Sequence, residues 1–176
     1  MRSLLMTTAL VFGTVLSVQA EMTKTGDGAE YEATEAQSQV IEIKMLNKNE
    51  DGDRMVFGQE LIRANVGDVI RFVPTDKSHN AMSVKGALPE GQEPFKGKIN
   101  KAVEYEVTET GLTAVICQPH QSMGMVALIM VGDDVSNADD ILEARILGKG
   151  GDKIEALVEE ARTLATEAED TGEQNS

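Results

Sequence analysis

Hydrophobic positions recur at period two through the middle of this chain, and the period lengthens toward its C-terminus. In VIEIKML, residues 40–46, Ile41, Ile43 and Met45 alternate with charged residues, the mark of a half-buried strand. NEDGD supplies a turn, then MVF and LIRAN follow. Gly67-Asp68 turns the chain again into VIRFVP, which Pro74 stops. AVEYEVT alternates through Val103, Tyr105 and Val107, and the apolar runs GLTAVI and VALIMV complete the set. Between them, residues 75–95 read as a long loop with short apolar patches. So many short strands in one stretch predict a mainly β fold, a Greek-key sandwich or barrel over residues 39–134.

Beyond Gly132 the spacing becomes helical. SNADDILEARILG opens on a capping residue and ends at a glycine. DKIEALVEEARTLATEAED sets Ile154, Leu157, Val158, Ala161 and Leu164 on one face. Two amphipathic helices are therefore predicted over 135–168, with their apolar stripes against the side of the sandwich. Residues 169–176 are expected to be a fraying acidic tail.

The N-terminus changes where such a domain is expected to work. MRSLLMTTALVFGTVLSVQA has one arginine, an apolar stretch from Leu4 to Val18 and small residues before Glu21, the layout of an export signal removed after Ala20. A membrane anchor is the competing reading, but Thr7, Thr8, Gly13, Thr14 and Ser17 make a poor spanning helix. A soluble, monomeric protein without stable membrane association is expected. Residues 21–38 carry one lysine against five acids and no periodicity, which predicts a flexible acidic linker. The formal net charge of −14 gathers in such extensions, since residues 136–176 hold four basic against eleven acidic side chains. Nucleic-acid binding needs a basic face and is set aside.

Candidate chemistry concentrates in CQPHQSMGM, Cys117 to Met125, between the last two apolar runs. It holds the only cysteine, one of two histidines and two of nine methionines, so no internal disulfide can form. A thiol nucleophile would use Cys117 with His120 as base, yet Cys–His enzymes usually take their histidine from distant sequence, and methionines add nothing to acyl transfer. Zinc would accept Cys and His but seldom thioether. A buried cysteine with packing methionines is the plainest alternative. Copper is the reading that uses all the residue types: one thiolate, two imidazoles and a weak axial thioether form a trigonal electron-transfer site. It requires a second histidine, and the chain has one, His79, in the loop after VIRFVP.

IEIKMLNK, MVF, DKSHN, LPEGQEPFKGKIN, CQPHQSMGM and ALIMVGD together resemble the pseudoazurins, cupredoxins that carry electrons in the bacterial periplasm. The resemblance spans residues 40 to about 134, and the helical tail is also similar. It implies a cupredoxin sandwich holding one type 1 copper, cycling Cu(II)/Cu(I), on His79, Cys117, His120 and Met125. C-x2-H-x2-M, the spacing of the related amicyanins, would choose Met123 instead; the pseudoazurin segments favour Met125 and leave Met123 to the surface. Asn80 resembles the asparagine that ties the two ligand loops together and sets a backbone donor toward the thiolate. Pro119 stiffens the loop, and Gly124 lets its backbone pass near the metal or relaxes it.

The resemblance further implies that electrons leave through the edge of His120, inside an apolar rim of Pro119, Met123, Gly124 and Met82. Lysines would steer acidic partners to that rim, with Lys48, Lys77 and Lys96 the main candidates and Lys85, Lys98 and Lys101 in reserve. The partners would be copper nitrite reductase, nitrous-oxide reductase or a cytochrome c peroxidase, with a c-type cytochrome as donor. Three positions depart from the pattern: Ile116 where lysine is frequent, and Gln118 and Gln121 where Thr and an aromatic are frequent. A periplasmic carrier, not an enzyme, is the leading expectation; copper storage or delivery on the same ligands is the alternative.

Overall fold

The computed structural model describes residues 38–173. The expected signal at 1–20 and, apart from Ser38, the expected linker at 21–38 lie outside the described residues. Eight strands and two helices follow one another: β1 Val40–Lys48, β2 Arg54–Phe57, β3 Leu61–Ala64, β4 Val69–Pro74, β5 Met82–Ser83, β6 Val103–Glu106, β7 Gly111–Ile116, β8 Val126–Val131, α1 Ala138–Glu143 and α2 Lys149–Glu173. They form two four-stranded sheets, ordered β2-β1-β4-β6 and β3-β8-β7-β5. β1 and β4 run parallel, as do β3 and β8, while the other neighbours are antiparallel. β5 lies inside the stretch that reads as loop. Two residues cannot display a period, so only its pairing with Val115 and Ile116 reveals it.

The alternation in each strand decides what it buries. From the first sheet, Ile43, Met45, Phe57, Ile70, Phe72 and Tyr105 point toward the second and meet Val115, Ala127 and Ile129. The second sheet is covered on its other side as well. There Leu112, Ala114, Ile116, Val126, Leu128 and Met130 pack against Ile141, Ile154, Leu157, Val158 and Ala161 of the two helices. This explains why GLTAVI and VALIMV read as unbroken apolar runs: every residue of β7 and β8 is buried.

The helices depart from expectation at their ends. The residue capping α1 is Asn137 rather than Ser136, and its amide does not cap. It clamps β7 instead, accepting from the Leu112 N–H at 2.9 Å and donating to the Leu112 carbonyl at 2.8 Å. α2 begins at Lys149, taking Gly150 and Gly151 into its first turn, and continues to Glu173, into the segment expected to fray. Alanine and glutamate at 165–169 favour helix and carry α2 into that acidic segment. No helix among the described residues is long and apolar enough to cross a membrane.

Four aromatic rings run through the inter-sheet core. Phe57 meets Phe72 edge-on at 5.4 Å, Phe72 stacks on Phe95 at 5.7 Å, and Phe95 tilts onto Tyr105 at 4.6 Å. The Tyr105 hydroxyl then crosses to the other sheet and pairs with Thr113 Oγ1 at 3.2 Å, both side chains being buried. Tyr105→Phe should therefore destabilise the protein by about 1–3 kcal/mol, because it leaves the threonine hydroxyl unpaired. Adding Thr113→Val should restore most of the loss, and urea unfolding of the four variants of the cycle measures it.

Candidate metal centre

Three elements deliver the donor side chains to one point. Ile116 of β7 pairs with Val126 of β8. One step beyond that pair, the Cys117 N–H donates to the Met125 carbonyl at 3.0 Å. Cys117 and Met125 are both fully buried and both belong to the inter-sheet core. The loop between them is tightly wound. The His120 N–H donates to the Cys117 carbonyl, the Met123 and Met125 N–H groups both donate to the His120 carbonyl, and Gln121–Met123 form a 3-10 turn. His79, in the loop after β4, is fully buried and comes in from the first sheet.

Cys117 Sγ stands 3.7 Å from His79 Nδ1 and 3.4 Å from His120 Nδ1, and the two imidazole nitrogens are 3.1 Å apart. A circle through three points so separated has a radius of about 2 Å. That matches the roughly 2.0–2.3 Å at which imidazole nitrogen and thiolate sulfur bind a first-row ion such as zinc. Three donors facing a shared centre at bonding radius fit one trigonally held metal ion, and among the described residues this is the cluster of its kind. Met125, whose backbone pairs with Cys117, offers a thioether that suits a soft ion such as copper better than zinc.

The surroundings fix these donors. His79 Nε2 lies 3.0 Å from Asn47 Oδ1, an acceptor, so the ring proton sits on Nε2 and the Nδ1 lone pair faces the centre. Asn80 joins the two loops: its Nδ2 donates to the Gly97 carbonyl at 3.1 Å, and its Oδ1 accepts from the Gln118 N–H at 2.9 Å. The backbone N–H groups of Asn80 and His120 also point to the Cys117 sulfur. Burial pushes the Cys117 thiol up, and those two donors oppose it. A buried thiol of that kind is a poor free nucleophile, which works against the thiol-nucleophile reading.

Gly97 is closely packed within this shell. A Cβ there would stand 2.8 Å from Val103 Cγ1 and 2.9 Å from the Ala81 carbonyl oxygen. Neither Gly97 nor Asn47 stands out in the sequence, because each acts through a neighbour in the loop after β4, Asn80 or His79. Asn47 sits near the end of β1, where only the fold reveals that it faces a histidine.

The remaining expected residues divide by exposure. His120 is half-buried, Pro119 is exposed, and Met123 is 49 % exposed. Gly124 adopts φ 101°, and a Cβ on it would face Lys149 and Lys153 of α2, so the turn conformation accounts for this glycine. Met82 is half-buried in β5 and packs with the cluster beneath the helices. Lys48, Lys77 and Lys96 are all exposed.

Comparison with known proteins agrees with this centre. The profile of the copper binding proteins of the plastocyanin/azurin family matches residues 43–132. A pseudoazurin of Paracoccus pantotrophus is 50 % identical over 115 residues, covering 65 % of this chain and 79 % of that one. The crystal structure of native pseudoazurin from Hyphomicrobium denitrificans superposes with a TM-score of 0.64 at 38 % identity, covering 69 % of this chain and 97 % of the other. The refined structure of pseudoazurin from Methylobacterium extorquens AM1 gives 0.64 at 32 % identity, covering 70 % and 99 %.

Burial first, and then the charge of His120, hold His79 below the ordinary histidine range, with Asp76 pulling the other way. A folded pKa lowered in this way stabilises the metal-free protein fully above the ordinary value of about 6.5. That stabilisation is lost as pH falls from there through the folded value. Urea midpoints of the metal-free protein should therefore drop below about pH 6.5, by at most about 1.4 kcal/mol per pH unit for this one proton. His79→Gln should flatten that slope.

Proposed function

Because the chain belongs to the pseudoazurins, within the copper-binding plastocyanin/azurin family, we propose that it carries single electrons on one type 1 copper held by His79, Cys117, His120 and Met125. The observation that carries this reading is the triangle of Cys117 Sγ, His79 Nδ1 and His120 Nδ1, whose separations of 3.1–3.7 Å suit a single ion. Bound copper supplies a Cu(II)/Cu(I) couple, with sulfur donors favouring the lower state and imidazoles serving both.

The chain's own part is to hold four donors still while charge changes. Asn47 fixes the ring of His79, Asn80 binds the two loops, and the β7–β8 register holds Cys117 beside Met125. Met125 is favoured over Met123 as fourth donor because it is fully buried next to Cys117, whereas Met123 is half-exposed on the 3-10 turn. His120 links inside to outside. Its Nδ1 faces the other donors while the half-buried ring reaches the surface near Pro119 and Met123.

A small apolar surface around such a ring suits a docking contact that forms and releases quickly. Exposed Lys48, Lys77 and Lys96 would steer acidic partners toward it and raise the association rate more than the affinity. Those partners are redox proteins, with a c-type cytochrome as donor and copper nitrite reductase, nitrous-oxide reductase or a cytochrome c peroxidase as acceptor. The site of action is the periplasm, in keeping with the export signal expected at 1–20.

Copper-loaded protein should show an intense thiolate-to-Cu(II) absorption that ascorbate bleaches and ferricyanide restores over repeated cycles. Cys117→Ser should abolish the band, Met125→Gln should shift it, and Met123→Leu should leave it in place. A colourless complex that surrenders its copper to a chelator would point to delivery instead. Metal-independent hydrolysis lost on alkylating Cys117 would point to an enzyme.

A further inference from the structure

Two glycines at the start of α2 press on the loop between His120 and Met125. A Cβ at Gly150 would stand 2.5 Å from the Gln121 carbonyl oxygen and 3.0 Å from both Ile146 Cγ2 and Val126 Cγ1. One at Gly148 would stand 2.7 Å from the Ser122 carbonyl oxygen, and the backbone there has φ 58°. Such approaches fall well inside the roughly 3.5–4.0 Å of ordinary carbon contacts. Glycine alone lets the helix come so near. The next residue, Gly151, is different: its Cβ would meet the Ile146 carbonyl oxygen at 3.3 Å and nothing of the loop.

The helix behind these glycines is firmly placed. Ile154, Leu157, Val158 and Ala161 are buried in the outer core, and Lys153 Nζ pairs with Glu60 Oε1 at 2.6 Å. The 3-10 turn that it faces has no buried residue of its own. Beyond the glycine contacts, the Leu147 N–H donates to Gln121 Oε1 at 3.3 Å. Inside the loop, the Gly124 N–H donates to the Gln121 carbonyl at 2.9 Å, and the Val126 N–H donates to the Gly124 carbonyl at 3.0 Å. A displacement of Gln121 is thereby passed along the backbone on either side of Met125.

We propose that Gly148 and Gly150 are positioning residues, through which α2 backs the Gln121 and Ser122 carbonyls and sets how far Met125 stands from the thiolate and the two imidazoles. This rests on the ligand set proposed above. The C-terminal helix is then part of the metal site's support as well as a cover for the sheet. Bulk at position 150 or 148 must either push the loop toward the donors or lift the helix from it. Either movement changes the fourth donor's position.

The test compares copper-loaded, full-length Gly150→Ala and Gly148→Ala with wild type, using Gly151→Ala as the same change one residue away. In Gly150→Ala, the intensity ratio of the thiolate charge-transfer bands and the midpoint potential should both move. Copper loss to a chelator should accelerate about tenfold or more, as for other residues that orient ligands. Gly148→Ala places the methyl against Ser122 and should act in the same sense, so the test survives should one variant fail to fold. Gly151→Ala should keep the wild-type spectrum and potential. Unchanged bands and potential in both Gly150→Ala and Gly148→Ala, whatever their melting temperatures, would overturn the proposal. A wild-type protein without a blue band would overturn the ligand assignment beneath it.

Discussion

Ile116 lies opposite Val126, and just past that pair the Cys117 N–H donates to the Met125 carbonyl at 3.0 Å. A slip of one residue in either strand would turn its whole side-chain set over. Here such a slip would send Val115, Ala127 and Ile129 into the helix-facing layer and exchange them for Ala114, Ile116 and Leu128. Both faces of β7 and β8 are buried, so both cores resist the slip. The register that seats a thiolate beside a thioether is thus enforced by ordinary apolar packing on two sides of one sheet.

His79 enters from the other sheet, and its placement depends on polar groups that the core must tolerate. His79, Asn80 and Thr113 are buried, and each is hydrogen-bonded: to Asn47, to Gly97 and Gln118, and to Tyr105. Among the described residues no buried side-chain nitrogen or oxygen lacks a partner. An unpaired buried amide or hydroxyl costs about 1–3 kcal/mol, so these bonds resist rearrangement when the charge at the centre changes. The same shell that stabilises the fold keeps the donors in one geometry, which is what rapid electron exchange requires.

Much of this was legible in the chain. The period-two strands mark the sandwich, the apolar stripe from Ile154 to Leu164 marks the helix that covers it, and the crowding of CQPHQSMGM marks the centre. The identity of the second histidine followed from there being one other to choose. Residues that act through contacts between distant segments stayed hidden. Asn47 and Gly97 serve the centre by facing His79 and Asn80, and β5 is too short to show a pattern. Asn137, not the Ser136 that opens the helical pattern, stands at the N-terminus of α1, and it spends its amide on Leu112. Gly150 and Gly151 precede the stretch that reads as helical because glycine propensity is poor, yet both lie in the first turn of α2, where a Cβ at 150 would meet the Gln121 carbonyl oxygen.

Crystals of the copper-loaded protein, measured with anomalous scattering at the copper edge and compared with crystals of the metal-free protein, test whether the four donors hold one copper in a fixed geometry. The proposed ligand set predicts a single copper peak about 2 Å from His79 Nδ1, His120 Nδ1 and Cys117 Sγ, with Met125 Sδ as the next nearest donor. The three donor separations should remain close to 3.1, 3.4 and 3.7 Å with and without the metal. A peak bound elsewhere, Met123 Sδ in place of Met125, or a donor that swings away when copper is removed would contradict it.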